Sequence, residues 1–383
     1  MMARPRRAAR PRVPRIVLAV SGVLLVMAVL VAARPGRPGD GISAGSTRAP
    51  SSAPSADAPA ASRAVGSPPV GSLPLRPPSP SAVAGVGPGV LLIADRGNGR
   101  LLMVNRSSRV LWRFPGPGSL PKGQRFAADD AFIAPDGRTI VANDEAHQVI
   151  DRIDIATRRV TWQYGHYDQA GAATGWLHTP DDAYPLANGD IVVADIRNCR
   201  ILEVNAAKRI VRHWGRAGRC RDQPPRGFGE PNGDTPLPDG GLLVTEIQGS
   251  RVVRLSAAGR VVFDIHVPVS YPSDAQLDPQ GNVVVVDYSN PGAILRVDPR
   301  GHVLWRYRPT SGPGRLDHPS LAVPLSDGTI AVNDDFRNRV VVIDPGTNTI
   351  RWQYGHTDRA SARRGYLNTP DGIDQVPAGL SLP

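Results

Sequence analysis

Six short segments of this 383-residue chain open with oxygen-bearing side chains: Asp129-Asp130, Asp181-Asp182, Asn232, Ser273-Asp274, Ser320 and Asp371. Converging on one axis, these oxygens could hold Ca²⁺ or a similar hard cation. A pair of the carboxylates could equally act as general acid and base. The competing reading is structural, since an Asp after a loop often caps the local turn with its own side chain. Four histidines form a second set. His166 and His356 occupy the same place in two copies of Trp-Gln-Tyr-Gly-His, and His178 and His318 stand just before the Pro of a repeated segment. Together they could bind Zn²⁺; equally, their recurrence fits a duplicated loop-packing residue. Cys199 and Cys220 are the two cysteines. They suit one disulfide in an oxidising compartment, with two free thiols as the alternative.

These groups sit in a repeating frame. Gly89-Val-Leu-Leu-Ile-Ala-Asp95 is matched by Gly189 to Asp195, and related runs end on Asp144, Glu246, Asp287 and Asp334. Each is a Gly turn, an apolar β-branched run and a terminal acid. The six acids lie 49, 51, 51, 41 and 47 residues apart. A turn follows each, often ending in Arg (Arg100, Arg200, Arg251, Arg339), then a second apolar strand and a third bearing Trp112, Trp162, Trp214, Trp305 or Trp352. A Pro-led strand precedes the next Gly turn. Four short strands per period of this length predict a six-bladed β-propeller over 89–383. The first repeat starts at its second strand. Leu367 to Gly379 is a first strand with nothing after it, so it is expected to complete the first blade against Val90–Asp95.

In such a ring the loops entering the first strands share one face with the turns between second and third strands. Here those loops are long: Tyr164–Thr179, Arg216–Glu230 and Tyr354–Thr369. Ligand contacts are expected there, and both cysteines and all four of these histidines fall on that face. The six strand-end acids are expected to bond backbone N–H groups of the turn that follows them. The tryptophans are expected to pack between blades.

The unit Pro180-Asp-Asp-Ala through Asp190-Ile-Val-Val-Ala-Asp-Ile-Arg-Asn-Cys-Arg-Ile to Trp214-Gly215 resembles an NHL repeat. The ending Asp344-Pro-Gly-Thr-Asn-Thr-Ile-Arg-Trp352 is similar to PQQ-like propeller repeats. The resemblance covers 89–383, and it implies the fold more than the chemistry. Some NHL propellers are sensor domains of receptor kinases, and others are lyases with His-bound metal in the channel.

The N-terminus reads as a tether. Residues 1–15 carry six Arg and no acid, and 16–33 form an apolar run whose one polar side chain is Ser21. This suits a single transmembrane helix, a signal anchor with its basic tail in the cytoplasm; a cleaved signal peptide ending near Val31-Ala32-Ala33 is the alternative. Residues 34–88, rich in Pro, Ala, Ser and Gly, read as a disordered linker. Either way the propeller is expected outside the cytoplasm, as part of a cell-membrane protein. Eleven of the 45 basic residues and two of the 34 acidic ones lie in 1–88, leaving 34 against 32 in the ring. That near-neutral balance argues against a nucleic-acid partner.

The leading functional reading is an extracytoplasmic binding or interaction domain, a sensor or scaffold, taking a protein, glycan or small-molecule ligand. The alternative is a metal-assisted lyase or lactone hydrolase at the channel mouth. A quinoprotein dehydrogenase fits poorly, with no vicinal Cys pair and six blades. No phosphate loop or Gly-x-Ser-x-Gly elbow is present. The chain is read as a monomer.

Overall fold

The structure, a computed structural model, describes residues 89–383 except Ser381. The anchor and linker expected over 1–88 lie outside the described residues. Among the described residues no helix is long and apolar enough to cross a membrane.

The strands run as follows. Blade 1 holds β1 (Val90–Asp95), β2 (Arg100–Asn105) and β3 (Val110–Phe114). Blade 2 holds β4 (Ala131–Ile133), β5 (Thr139–Asp144), β6 (Val149–Asp154) and β7 (Arg159–Gly165). Blade 3 holds β8 (Pro180–Pro185), β9 (Ile191–Asp195), β10 (Arg200–Val204) and β11 (Ile210–Gly215). Blade 4 holds β12 (Pro231–Pro236), β13 (Leu242–Glu246), β14 (Arg251–Leu255) and β15 (Val261–His266). Blade 5 holds β16 (Pro272–Leu277), β17 (Val283–Asp287), β18 (Ala293–Val297) and β19 (Val303–Tyr307). Blade 6 holds β20 (Ala322–Pro324), β21 (Ile330–Asp334), β22 (Arg339–Asp344) and β23 (Thr349–Gly355). The last strand, β24 (Pro370–Gln375), pairs antiparallel with β1, Leu91 opposite Gln375 and Ile93 opposite Ile373. Six four-stranded antiparallel sheets result, and the ring closes through its own C-terminus as the repeats predict.

Each second strand is apolar on both faces because both faces are covered. Leu92 and Ala94 pack with Ile140 and Ala142 of blade 2, while Leu91 and Ile93 pack with Val340 and Val342 of blade 6. The core is therefore a set of slabs between neighbouring blades. The outer tryptophans tie the slabs in one rotational sense. The indole N–H of Trp112 donates to Ile155 O, that of Trp162 to Ala206 O, that of Trp305 to Asn348 Oδ1 and that of Trp352 to Arg106 O. The last of these bridges blade 6 to blade 1.

The strand-end acids behave differently from expectation. Their main backbone donors lie in the loop entering the first strand; Asp144 alone also accepts from the turn that follows, His147 N–H at 3.3 Å. Asp95 accepts Asn368 N–H, Asp195 His178 N–H and Asp334 Asp317 N–H, each at 2.7 Å. Asp144, Glu246 and Asp287 accept from Ala127, Gly229 and Ser270. After Asp95, Asp195 and Asp334 the chain enters a 3₁₀ turn whose N–H groups donate to the incoming loop, as in Arg197 N–H to His178 O, Gly97 N–H to Asn368 O and Phe336 N–H to Asp317 O. The turn's donors are thus committed to loop carbonyls, and the loop's own N–H fills the carboxylate. An Arg five residues on completes the clamp: Arg200 and Arg339 Nε donate to Asp195 and Asp334 at 2.7 Å. Arg200 gives its remaining nitrogens to the carbonyls of Ala172 and Trp176; Arg339 gives Nη2 to Arg315 O and Nη1 to the side chains of Gln353 and Thr357.

Two outcomes test this framework. A chain lacking residues 366–383 leaves β1 an open edge beside the channel, and its cooperative thermal transition by circular dichroism should disappear; an intact truncation refutes the closure. Arg339→Met leaves Asp334 buried without its cation and should cost about 3–5 kcal/mol in urea unfolding. A loss below about 1 kcal/mol would mean that the clamp is a surface-type pair.

Candidate functional site at the channel mouth

The first strands begin at equivalent positions around the axis and so present their side chains in layers. The outer layer is Asp371, Asp129, Asp181, Asn232, Ser273 and Ser320, in blade order. The next is Gly372, Asp130, Asp182, Gly233, Asp274 and Leu321. Both glycines make room: a Cβ on Gly233 would fall 2.9 Å from Asp274 Oδ1 and 3.1 Å from Asp182 Oδ2, and one on Gly372 would fall 2.6 Å from Asp130 Oδ1. Asp182 holds a left-handed backbone (φ +40°), rare for a non-glycine residue and a mark of local strain. Two residues further along the strands the channel is plugged. Phe132 stacks on Tyr184 at 3.7 Å, and Tyr184 OH accepts from Gln276 Nε2.

A cavity of about 110 Å³ opens above this plug. The residue after each strand-end acid supplies a further ring: Arg96, Glu145, Ile196, Ile247, Tyr288 and Asp335. Arg96, Glu145, Ile196 and Tyr288 line the cavity, and Tyr271 stands beside Tyr288. Arg96 donates to Asp371 and Glu145 at 2.7 Å and pairs with Asp129. It is the only cationic side chain in the cavity lining. Against it stand eight buried aspartates: Asp129, Asp130, Asp181, Asp182, Asp234, Asp274, Asp335 and Asp371. Asn232 donates to Asp181 and accepts from Tyr271 OH. Gln276 and Thr235 donate to Asp274. Neither carboxylate oxygen of Asp234 has a partner.

So much negative charge in so dry a place drives protonation. Burial raises Asp130 to about 8, with Asp371 adding to the effect, and Asp274 to about 6. Burial also pushes Asp129, Asp181, Asp182, Asp234 and Asp335 well above the usual carboxylate range. Asp371 departs from this: burial acts upward on it too, but Arg96 holds it below the ordinary value. Asp129, Asp130 and Asp181 each bring one oxygen within 4.8 Å of the others. Oxygens around one Ca²⁺, bound at about 2.4 Å, span this distance.

The structure thus gathers Asp129, Asp130, Asp181, Asp182, Asn232, Asp274 and Asp371 at one mouth. The histidines lie apart from it. His166 stacks on Trp176 and His356 on Tyr366, each at 3.9 Å, inside their own loops. His178 is exposed. His318 pairs with Asp317 and touches Tyr288 and Phe336 at the rim. Cys199 and Cys220 are disulfide-bonded, Cα atoms 5.1 Å apart. Arg96, Glu145, Tyr271, Tyr288 and Asp335 escaped the sequence reading. For four of them the signal was there, as the position after each strand-end acid varies in chemistry while its neighbours repeat.

Residues 213–365 match the family described as outer membrane protein assembly factor BamB, which shows the PQQ-like repeat character over that stretch. No curated protein matches the chain. Among solved structures, a protein of unknown function from Bacteroides caccae is 17% identical with a TM-score of 0.53, over 75% of this chain and 98% of that one. A chain of a nidogen/laminin complex is 15% identical with a TM-score of 0.52, over 74% and 97%. A streptogramin B lyase is 17% identical with a TM-score of 0.44, over 63% and 71%. At such identities the likeness is one of fold.

The well makes stability depend on pH. An unfolded Asp titrates near 4. Between about pH 4 and 8 the folded chain therefore keeps the Asp130 proton that the unfolded chain releases, and stability falls as pH rises. In EDTA at pH 8, Asp130→Asn should raise Tm by a few degrees and flatten the Tm–pH curve over that window. An unchanged curve would show that Asp130 is ionised in the fold.

Proposed function

We propose that this chain is a membrane-tethered, extracytoplasmic binding propeller, a sensor or scaffold, whose channel mouth takes a cation. One observation carries the reading: five buried aspartates and Glu145 line a shaped opening that holds a single arginine. A hard divalent cation such as Ca²⁺ suits an all-oxygen donor set, with Asp129, Asp130 and Asp181 as its ligands and Asn232, Ser273 and Ser320 as neutral neighbours. Zn²⁺ is less suited, since the histidines stand away from the well. The location outside the cytoplasm rests on the apolar run at 16–33 and on the Cys199–Cys220 disulfide.

The wall of Tyr271 and Tyr288 favours a second ligand class, a small organic ammonium, because carboxylates backed by aromatic faces suit such a group. A metal-assisted lyase or lactone hydrolase would use the same well, and turnover of a lactone or cyclic ester substrate would distinguish it.

Calorimetry on the full-length protein in detergent tests the proposal. Ca²⁺ should bind with one site per chain, more tightly at pH 8 than at pH 6 because protons must leave the carboxylates. Asp130→Asn and Asp181→Asn should each weaken binding by roughly tenfold or more. If neither Ca²⁺, Mg²⁺ nor tetramethylammonium gives heat or shifts Tm, the cation reading fails.

A further inference from the structure

The loop between β11 and β12 departs from its sister loops in a way that the axial well does not explain. The loops 164–179 and 354–369 fill their interiors with a stacked pair, His166 on Trp176 and His356 on Tyr366. In the loop 215–230 the corresponding positions are Arg216 and Gly227. The stack is gone and a cavity of about 760 Å³ stands in this loop, lined by Arg219, Arg221, Arg226, Cys220, Gln223 and two glycines. The cystine braces the loop against blade 3, and Gln223 bridges to Gly227 across its base.

The charge of this pocket is one-sided. Arg216, Arg219, Arg221 and Arg226 are exposed, and among the described residues none of them has an ion-pair partner. The two acids of the loop are already taken, Asp222 by Arg251 and Glu230 by Arg197. A ring that is almost neutral as a whole therefore carries a local positive pocket held in shape. Guanidinium groups are planar forks that match the oxygens of phosphate two at a time. The volume far exceeds that of one phosphate group.

We propose that this pocket binds a polyanion of phosphate chemistry, a chain or sugar bearing more than one phosphate group. The site is independent of the channel mouth and of opposite sign to it.

The test is calorimetry of the full-length protein with tripolyphosphate at about 50 mM salt, where electrostatic binding is strong. Tripolyphosphate should bind, with affinity falling steeply as salt is raised. The triple variant Arg219→Ala, Arg221→Ala, Arg226→Ala should lose at least roughly tenfold in affinity while its thermal transition stays in place. The same three changed to Lys should fall between, since charge remains but the forks do not. Arg363→Ala with Arg364→Ala, in the sister loop, should leave binding unchanged, and so should Asp130→Asn at the mouth. Equal losses in both loops would reduce the effect to general charge and overturn the site. Failure of tripolyphosphate to bind would overturn it too. Preference for a sulfated oligosaccharide over tripolyphosphate would overturn the assignment to phosphate.

Discussion

Everything functional in this ring hangs on a buried carboxylate that ends each second strand. It accepts an N–H from the loop entering the first strand, and so fixes where that first strand starts. Without this bond a long loop would enter the axis at a variable height, and the layers of oxygen ligands would not be in register. A buried carboxylate is costly unless its lone pairs are filled. In blades 1, 3 and 6 an arginine five residues on fills them; Arg100 and Arg200 spend their remaining donors on the same loop, and Arg339 divides its own between that loop and the side chains of Gln353 and Thr357. Blade 4 relaxes the rule. Arg251 turns to Asp264 and Asp222, Glu246 keeps one oxygen without a partner, and burial lifts it to about 8. The loop held by this looser clamp is the one braced by the disulfide.

The axial well reverses the logic of the clamp. There the carboxylates outnumber their cation, and one residue, Asp182, adopts a backbone that strains a non-glycine side chain. Neither feature helps the ring to fold, and the clamps show that this chain can pair buried acids where stability alone is at stake. Strain and unpaired charge that persist at a shaped opening are signs of a binding site carried at the expense of stability. Phe132, Tyr184 and Gln276 pack on one another beneath the well.

Much of this was legible in the residues. The period, the terminal acids and the orphan first strand at 367–379 were enough for six blades and their closure, because a propeller blade is a local unit with a local signature. The convergence of Asp129, Asp181 and Asp371 also follows from the repeat, since equivalent positions in a ring must face one axis. What the strand pattern could not convey was the partner of each strand-end acid. Asn368 is the donor to Asp95 from 273 positions away, and the local reading chose the following turn instead. For His166 and His356 the stacking fits the loop-packing alternative. Recurrence marks an equivalent place, and here that place is the interior of a loop where imidazole stacks on Trp176 or Tyr366.

The mouth is not symmetric, because equivalent positions around the ring carry different chemistry. The residue after the strand-end acid is Arg96, Glu145 and Asp335 on blades 1, 2 and 6, but Ile196, Ile247 and Tyr288 on blades 3, 4 and 5. One half of the rim is charged and the other apolar. Arg96 falls on the blade where the ring closes. It joins Asp371 of β24, the last strand, to Asp129 of blade 2, across β1 to which β24 pairs. The lone axial cation thus sits at the seam, where an extra tie between first and last strands is worth most. That leaves Asp181, Asp182 and Asp274 with no cation of the chain's own, and Tyr271, whose OH donates to the Asn232 that bonds Asp181, stands on this side.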